Sequence, residues 1–105
     1  MHDCFQMNCL FGCEGEKDSI KHYLQCEPLW NQIFQRLRMA PYSQVLDRLG
    51  LMNPSRQKLL TLAIAFVVYH KGRAQARAQG VQMLFDARWI SDAVRAAAST
   101  VKLLA

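Results

Sequence analysis

Four candidate metal ligands fall close together near the N-terminus, in the order Cys9-x3-Cys13-x8-His22-x3-Cys26. No other feature of the chain restricts its fold as strongly. Zinc takes thiolate and imidazole ligands in a tetrahedron, and three sulfurs with one nitrogen close that tetrahedron without leaving a position for catalytic water. Gly12 sits just before the second cysteine, where a tight turn needs a permissive backbone. His22 and Cys26 are four apart. On a helix opening near Asp18 or Ser19, that spacing puts both on one face, one turn from each other. The pattern predicts a CCHC module with one structural zinc ion held by Cys9, Cys13, His22 and Cys26. Two disulfides, or four unconnected buried thiols, are the alternative readings of four cysteines. Cys4 is left over as a packed or free thiol. It can replace Cys9 as a ligand, but the Cys9-Leu10-Phe11-Gly12-Cys13 turn is the better fit. His2 and His70 read as ordinary surface or helix-end histidines.

The rest of the chain has helical periodicity. Glu27-Pro28 opens a helix, because proline in the first turn loses no needed hydrogen bond, and Leu29, Trp30, Ile33, Phe34 and Leu37 follow at helical spacing. Met39-Ala40-Pro41 breaks it, and a short helix over 43–49 ends at Gly50. Asn53-Pro54 reads as an N-cap followed by proline, starting a helix that runs to Gly80. Its run from residue 59 to 69, between Leu59 and Tyr69, is apolar except for Thr61, so the sequence predicts that it is enclosed. A bilayer span needs about 20 apolar residues, so this run predicts a buried helix and no membrane span. A last helix is expected over 83–103, where Met83, Ala87, Ile90, Val94, Ala97, Val101 and Leu104 form one packing seam. The fold expected is mainly α. A zinc module over 1–30 precedes a bundle of about four helices over 31–105, the two packed as one unit.

Charge divides the chain unevenly. Residues 1–53 carry five Lys and Arg against six Asp and Glu, a net of −1, whereas residues 54–105 carry eight against two, a net of +6. A surface of that sign suits phosphate, anionic lipid or an acidic protein. Lys71, Arg73, Arg77, Arg88 and Arg95 are the candidate nucleic-acid contacts. Arg73 and Arg77 share a helix face with His70 and Lys71 one turn earlier, while Arg88, Arg95 and Lys102 line up beside the last seam. The N-terminus shows no basic stretch followed by an apolar run, which makes an intracellular setting, nuclear or cytoplasmic, the expectation.

The run CLFGCEGEKDSIKHYLQCEPLW resembles the zinc-binding domain at the C-terminus of non-LTR (LINE-type) retrotransposon reverse transcriptases. The resemblance rests on Cys9 and Cys13, the acidic loop from Glu14 to Asp18, Ile20 before His22, Cys26, Pro28 and the Leu29-Trp30 pair. Glu27 departs from it, because that family usually has proline directly after the cysteine. The spacing between the first two cysteines is also wider than usual. The resemblance covers about a fifth of the chain, and nothing in residues 31–105 resembles a polymerase palm. It implies association with DNA or RNA in a parent element, without implying polymerisation by this chain.

Two functions compete. In the first, zinc orders the N-terminal lobe while basic helices contact phosphate, and Tyr23 and Trp30 are open to base stacking or to the core, with the core favoured for Trp30. In the second, the chain is a structural or interaction subunit that docks through the 59–69 helix and the 83–104 seam. Catalysis is not expected, since the sequence has no Gly-rich phosphate loop, no open metal site and no Ser/His/Asp set at informative spacing. Asp86 and Asp92 read as helix-surface residues.

Overall fold

The computed structural model describes residues 7–104, with side chains to Val101. His2 and Cys4 lie outside the described residues, and so do the side chains of Lys102 and Leu104. Five helices follow one another: α1 (Ile20–Tyr23), α2 (Glu27–Leu37), α3 (Val45–Arg48), α4 (Arg56–Gln79) and α5 (Ala87–Leu104). The chain is mainly helical, as expected. Before α1, residues 7–18 fold back in a turn closed by Cys9 N–H donating to Glu16 O at 2.8 Å and Asp18 N–H donating to Met7 O at 2.8 Å. An isolated antiparallel bridge joins Asn8 to Lys17.

Local chemistry explains most helix ends. Ser19 caps α1 by accepting from His22 N–H at 3.1 Å, and Ser55 caps α4 by accepting from Lys58 N–H at 3.1 Å. Pro28 occupies the first turn of α2. Gly80 ends α4 in the left-handed region at φ 67° and donates to Ala76 O at 3.0 Å. Asp86 is a cap rather than a helix-surface residue, accepting from Trp89 N–H at 2.8 Å.

Four expected boundaries move. Helix α1 ends at Tyr23, so His22 and Cys26 do not share a helix; Cys26 is the N-cap of α2. Helix α3 is shorter than the 43–49 expected. Helix α4 starts after Ser55, not at Pro54, and Asn53 is held at φ 45° in the preceding turn. Met83 precedes α5, because residues 81–86 pair with the N-terminal turn. Phe85 N–H donates to Leu10 O at 2.7 Å, and the Gln82 amide bonds both backbone groups of Asn8. These bonds satisfy backbone groups that a longer helix would satisfy internally. Heptad spacing carries no trace of them.

Helices α2, α4 and α5 pack against one another around one core. Leu29, Trp30 and Ile33 of α2 meet Ile64, Ala65 and Val68 of α4 and Ile90, Val94 and Ala97 of α5. Trp30 is fully buried and its indole N–H donates to Tyr23 O at 2.9 Å, so it is a core residue. Gly72 admits Phe85 against α4: a Cβ there would lie 3.3 Å from the Phe85 ring.

Arg48 is buried to 1% exposure in this apolar setting. Its guanidinium donates to Tyr42 O at 3.1 Å, Leu24 O at 2.8 Å and Glu27 Oε1 at 3.2 Å, and lies 4.9 Å from the Trp30 ring centroid. One side chain thus ties together the loop after α1, the start of α2 and the approach to α3. Lysine has no planar fork to satisfy three such acceptors. Arg48→Ala should cost about 3 kcal/mol in denaturant unfolding, since it strands two carbonyls and leaves a cavity. Arg48→Lys should recover less than half of that loss. Full stability in Arg48→Ala would show the fork to be dispensable.

Candidate metal centre

Three separate pieces of chain deliver the four candidate ligands. Cys9 and Cys13 come from the N-terminal turn, where Gly12 adopts φ 98°, a conformation that favours glycine. His22 comes from α1 and Cys26 from the N-cap of α2. Their ligand atoms all lie within 4.8 Å of one another, so the structure brings together the full predicted set. The Sγ atoms of Cys9 and Cys13 are 3.7 and 3.8 Å from Sγ of Cys26. A tetrahedral ion with metal–sulfur bonds of about 2.3 Å has sulfur–sulfur edges of about 3.8 Å. No disulfide joins these three cysteines.

The surroundings fit an ion. Cys9 and Cys26 are buried and Cys13 is half-buried. His22 Nε2 is buried without a hydrogen-bond partner, while Nδ1 faces Glu16 Oε2 at 3.7 Å. An orphaned imidazole nitrogen beside three sulfurs matches a ligand nitrogen whose other face is held by a carboxylate. Phe11 N–H donates to Cys9 Sγ at 3.4 Å. The Cys26 thiol beside it pulls Cys9 far below the ordinary thiol range, to about 4. Contact with Cys9, with burial, pushes Cys26 up, and burial with the nearby Cys9 charge pushes Cys13 up. Three sulfurs this close cannot all ionise without a cation among them. The group can therefore hold one metal ion, and its four protein ligands fill a tetrahedron.

The basic residues are placed less uniformly. Lys71 is exposed beside α5, with Nζ 5.9 Å from the Trp89 ring centroid. Arg73, two positions on, points the other way, with Nε 3.6 Å from Asp18 Oδ2 and a bond to Tyr69 Oη at 3.2 Å. It is therefore a partly buried strut to Asp18, a carboxylate on which Arg77, one turn further along α4, also acts. Arg77, Arg88 and Arg95 are exposed, but Asp92 lies between Arg88 and Arg95 on α5. Tyr23 is buried against Tyr69, ring centroids 4.7 Å apart, which removes it from base stacking. His70 packs on Phe66 with a buried, unpartnered Nε2, so it is not an ordinary surface histidine.

Asp18 and Arg48 are the structurally important residues that sequence reasoning missed. The Asp18 side chain is 4% exposed. Burial raises its carboxyl pKa against the opposing pull of Tyr69 and Arg73, while burial and the Asp18 charge push Tyr69 up to about 12. Nothing local links Arg48 to Leu24 or Asp18 to Arg73. No protein-family model, curated protein or solved structure matches this chain.

Purified protein should carry about one metal ion per chain, measured by elemental analysis. Cys13→Ser, Cys26→Ser and His22→Ala should lose it, while Cys4→Ser keeps it. Full metal content in Cys13→Ser would refute the ligand set. Arg73→Ala should lower stability by about 2 kcal/mol, because it leaves Asp18 buried without its partly exposed cation. Lys71→Ala should leave the melting temperature unchanged, and equal effects of the two would remove the strut.

Proposed function

We propose that this chain is a nucleic-acid-associated accessory module ordered by one structural zinc ion. The observation that carries the zinc assignment is the closed Cys3His group, with sulfurs at tetrahedral spacing and an unpartnered imidazole nitrogen. Zinc is the common divalent ion for buried tetrahedral thiolate–imidazole sites and imposes no geometry of its own. Its charge would offset the three thiolates and fix the N-terminal turn to α1 and to the start of α2. With every vertex supplied by protein, the centre has a structural role and the reading assigns it no reaction.

Nucleic-acid association is supported by the net +6 of residues 54–105 and by the resemblance of residues 9–30 to the retrotransposon reverse-transcriptase zinc domain. With Arg73 turned inward, the candidate phosphate contacts are Lys71, Arg77, Arg88 and Arg95. Such contacts hold the backbone without reading sequence.

Zinc should be the ion recovered from protein expressed in unsupplemented medium, and iron in its place would refute that assignment. Four phosphate contacts on duplex DNA predict that log affinity falls against log salt with a slope of about −3.6. Replacing Arg88 and Arg95 together by Ala should flatten it by about 1.8, with little dependence on sequence. Undetectable binding to mixed-sequence DNA and RNA at low salt would overturn the nucleic-acid reading and leave the zinc assignment standing.

A further inference from the structure

Solvent reaches the three sulfurs of the metal centre unequally. Cys26 is 0% exposed and Cys9 5%, whereas Cys13 is only half-buried. An open cavity of about 530 Å³ lies against the cluster, lined by Cys9 and Cys13 together with Gly12, Gly15, Lys17 and Leu84. A small polar oxidant such as hydrogen peroxide is little larger than water, which occupies about 30 Å³ in the liquid, so it enters this cavity without any opening motion. Of the two sulfurs that line it, Cys13 is the accessible one.

Cys26 stands behind both. Its Sγ lies 3.8 Å from Sγ of Cys13 and 3.7 Å from Sγ of Cys9. A disulfide bond is about 2.05 Å long, so joining Cys13 to Cys26 closes the gap by about 1.8 Å. The turn that carries Cys13 has room to move. Gly12, Glu14 and Gly15 are exposed, and nothing lies within 4 Å of where a Cβ on Gly15 would sit.

We infer, on the reading that this cluster holds a metal ion, that the centre is a redox switch in which a hydroperoxide oxidises Cys13, Cys26 closes a disulfide onto it, and the ion is expelled. In the first step the Cys13 sulfur attacks the peroxide. An S–O bond forms, the O–O bond breaks, and the departing oxygen takes a proton and leaves as water. In the second step the Cys26 sulfur attacks the Cys13 sulfur. The S–S bond forms, the S–O bond breaks, and hydroxide leaves with a proton as a second water. Each sulfur gives up one electron and the peroxide gains both. Cys9 and His22 are then the only ligands left, too few for a closed tetrahedral site. The new bond still ties the N-terminal turn to the N-cap of α2, but α1 loses the tie that ran through His22.

The test treats purified protein of measured metal content with hydrogen peroxide beside a chromogenic zinc chelator, and maps its disulfides by mass spectrometry. About one ion should be released per disulfide formed, and the bond should join Cys13 to Cys26. A sulfenic-acid trap added with the peroxide should label Cys13 ahead of Cys9. Reduction by a dithiol with added zinc should restore the metal content, and Cys4→Ser should leave the release unchanged. Release at the same rate without peroxide, a main product that joins Cys9 to Cys26 or involves Cys4, or sulfinic acid at Cys13 in place of a disulfide would overturn the inference. Protein purified without metal would refute the metal reading instead, and the same map would still decide whether Cys13 and Cys26 pair.

Discussion

Three sulfurs and an imidazole nitrogen lie within 4.8 Å of one another, and this crowding constrains everything around it. Thiolates at 3.7–3.8 Å repel strongly in a buried setting unless a cation separates them. The surrounding backbone is arranged accordingly. Phe11 N–H points at Cys9, Cys26 stands at the positive end of α2, and Glu16 sits behind the imidazole. These features favour ionised sulfur and an oriented histidine. They do not by themselves hold three like charges together.

The cluster is not a separate lobe. Its turn donates Leu10 O to Phe85, and Phe11 packs on Phe85 and Trp89 at the start of α5. On its other side, Tyr23 stacks on Tyr69 and Asp18 reaches Arg73, both on α4. Disturbing the cluster would therefore loosen contacts at all three long helices, since Cys26 is itself the N-cap of α2. The core between α2, α4 and α5 has its own apolar packing, so it does not depend on the cluster alone.

What could be read from the sequence was whatever is encoded locally. The ligand set, the Ser19 and Gly80 helix limits, the Pro28 opening and the burial of Trp30 all follow from spacings within a few residues. The misplaced start of α5 has a tertiary cause. Residues 81–86 stay out of α5 because they bond the turn around Asn8, some 74 positions earlier. Asp18 and Arg73, or Arg48 and Leu24, are likewise joined only by the tertiary fold. His22 and Cys26 converge as predicted, yet by a different route. A helix end and the next helix's N-cap bring them together, and a four-residue spacing does not distinguish that from one continuous turn.

Helix α4 shows why composition misled about enclosure. An all-round apolar helix predicts burial only if neighbours exist on every side. Here α2, α3 and α5 contact α4, and Tyr23 and Asp18 reach it from the N-terminal segment, yet Leu59 and Phe66 stay exposed along a groove bordered by Tyr23, Leu49 and Val101. Covering them with the chain's own residues would take a further element beside α4. Helix α1 carries His22 into the ligand cluster and lends the groove the side chain of Tyr23. The packing that builds the core from one side of α4 thus leaves Leu59 and Phe66 exposed on the other.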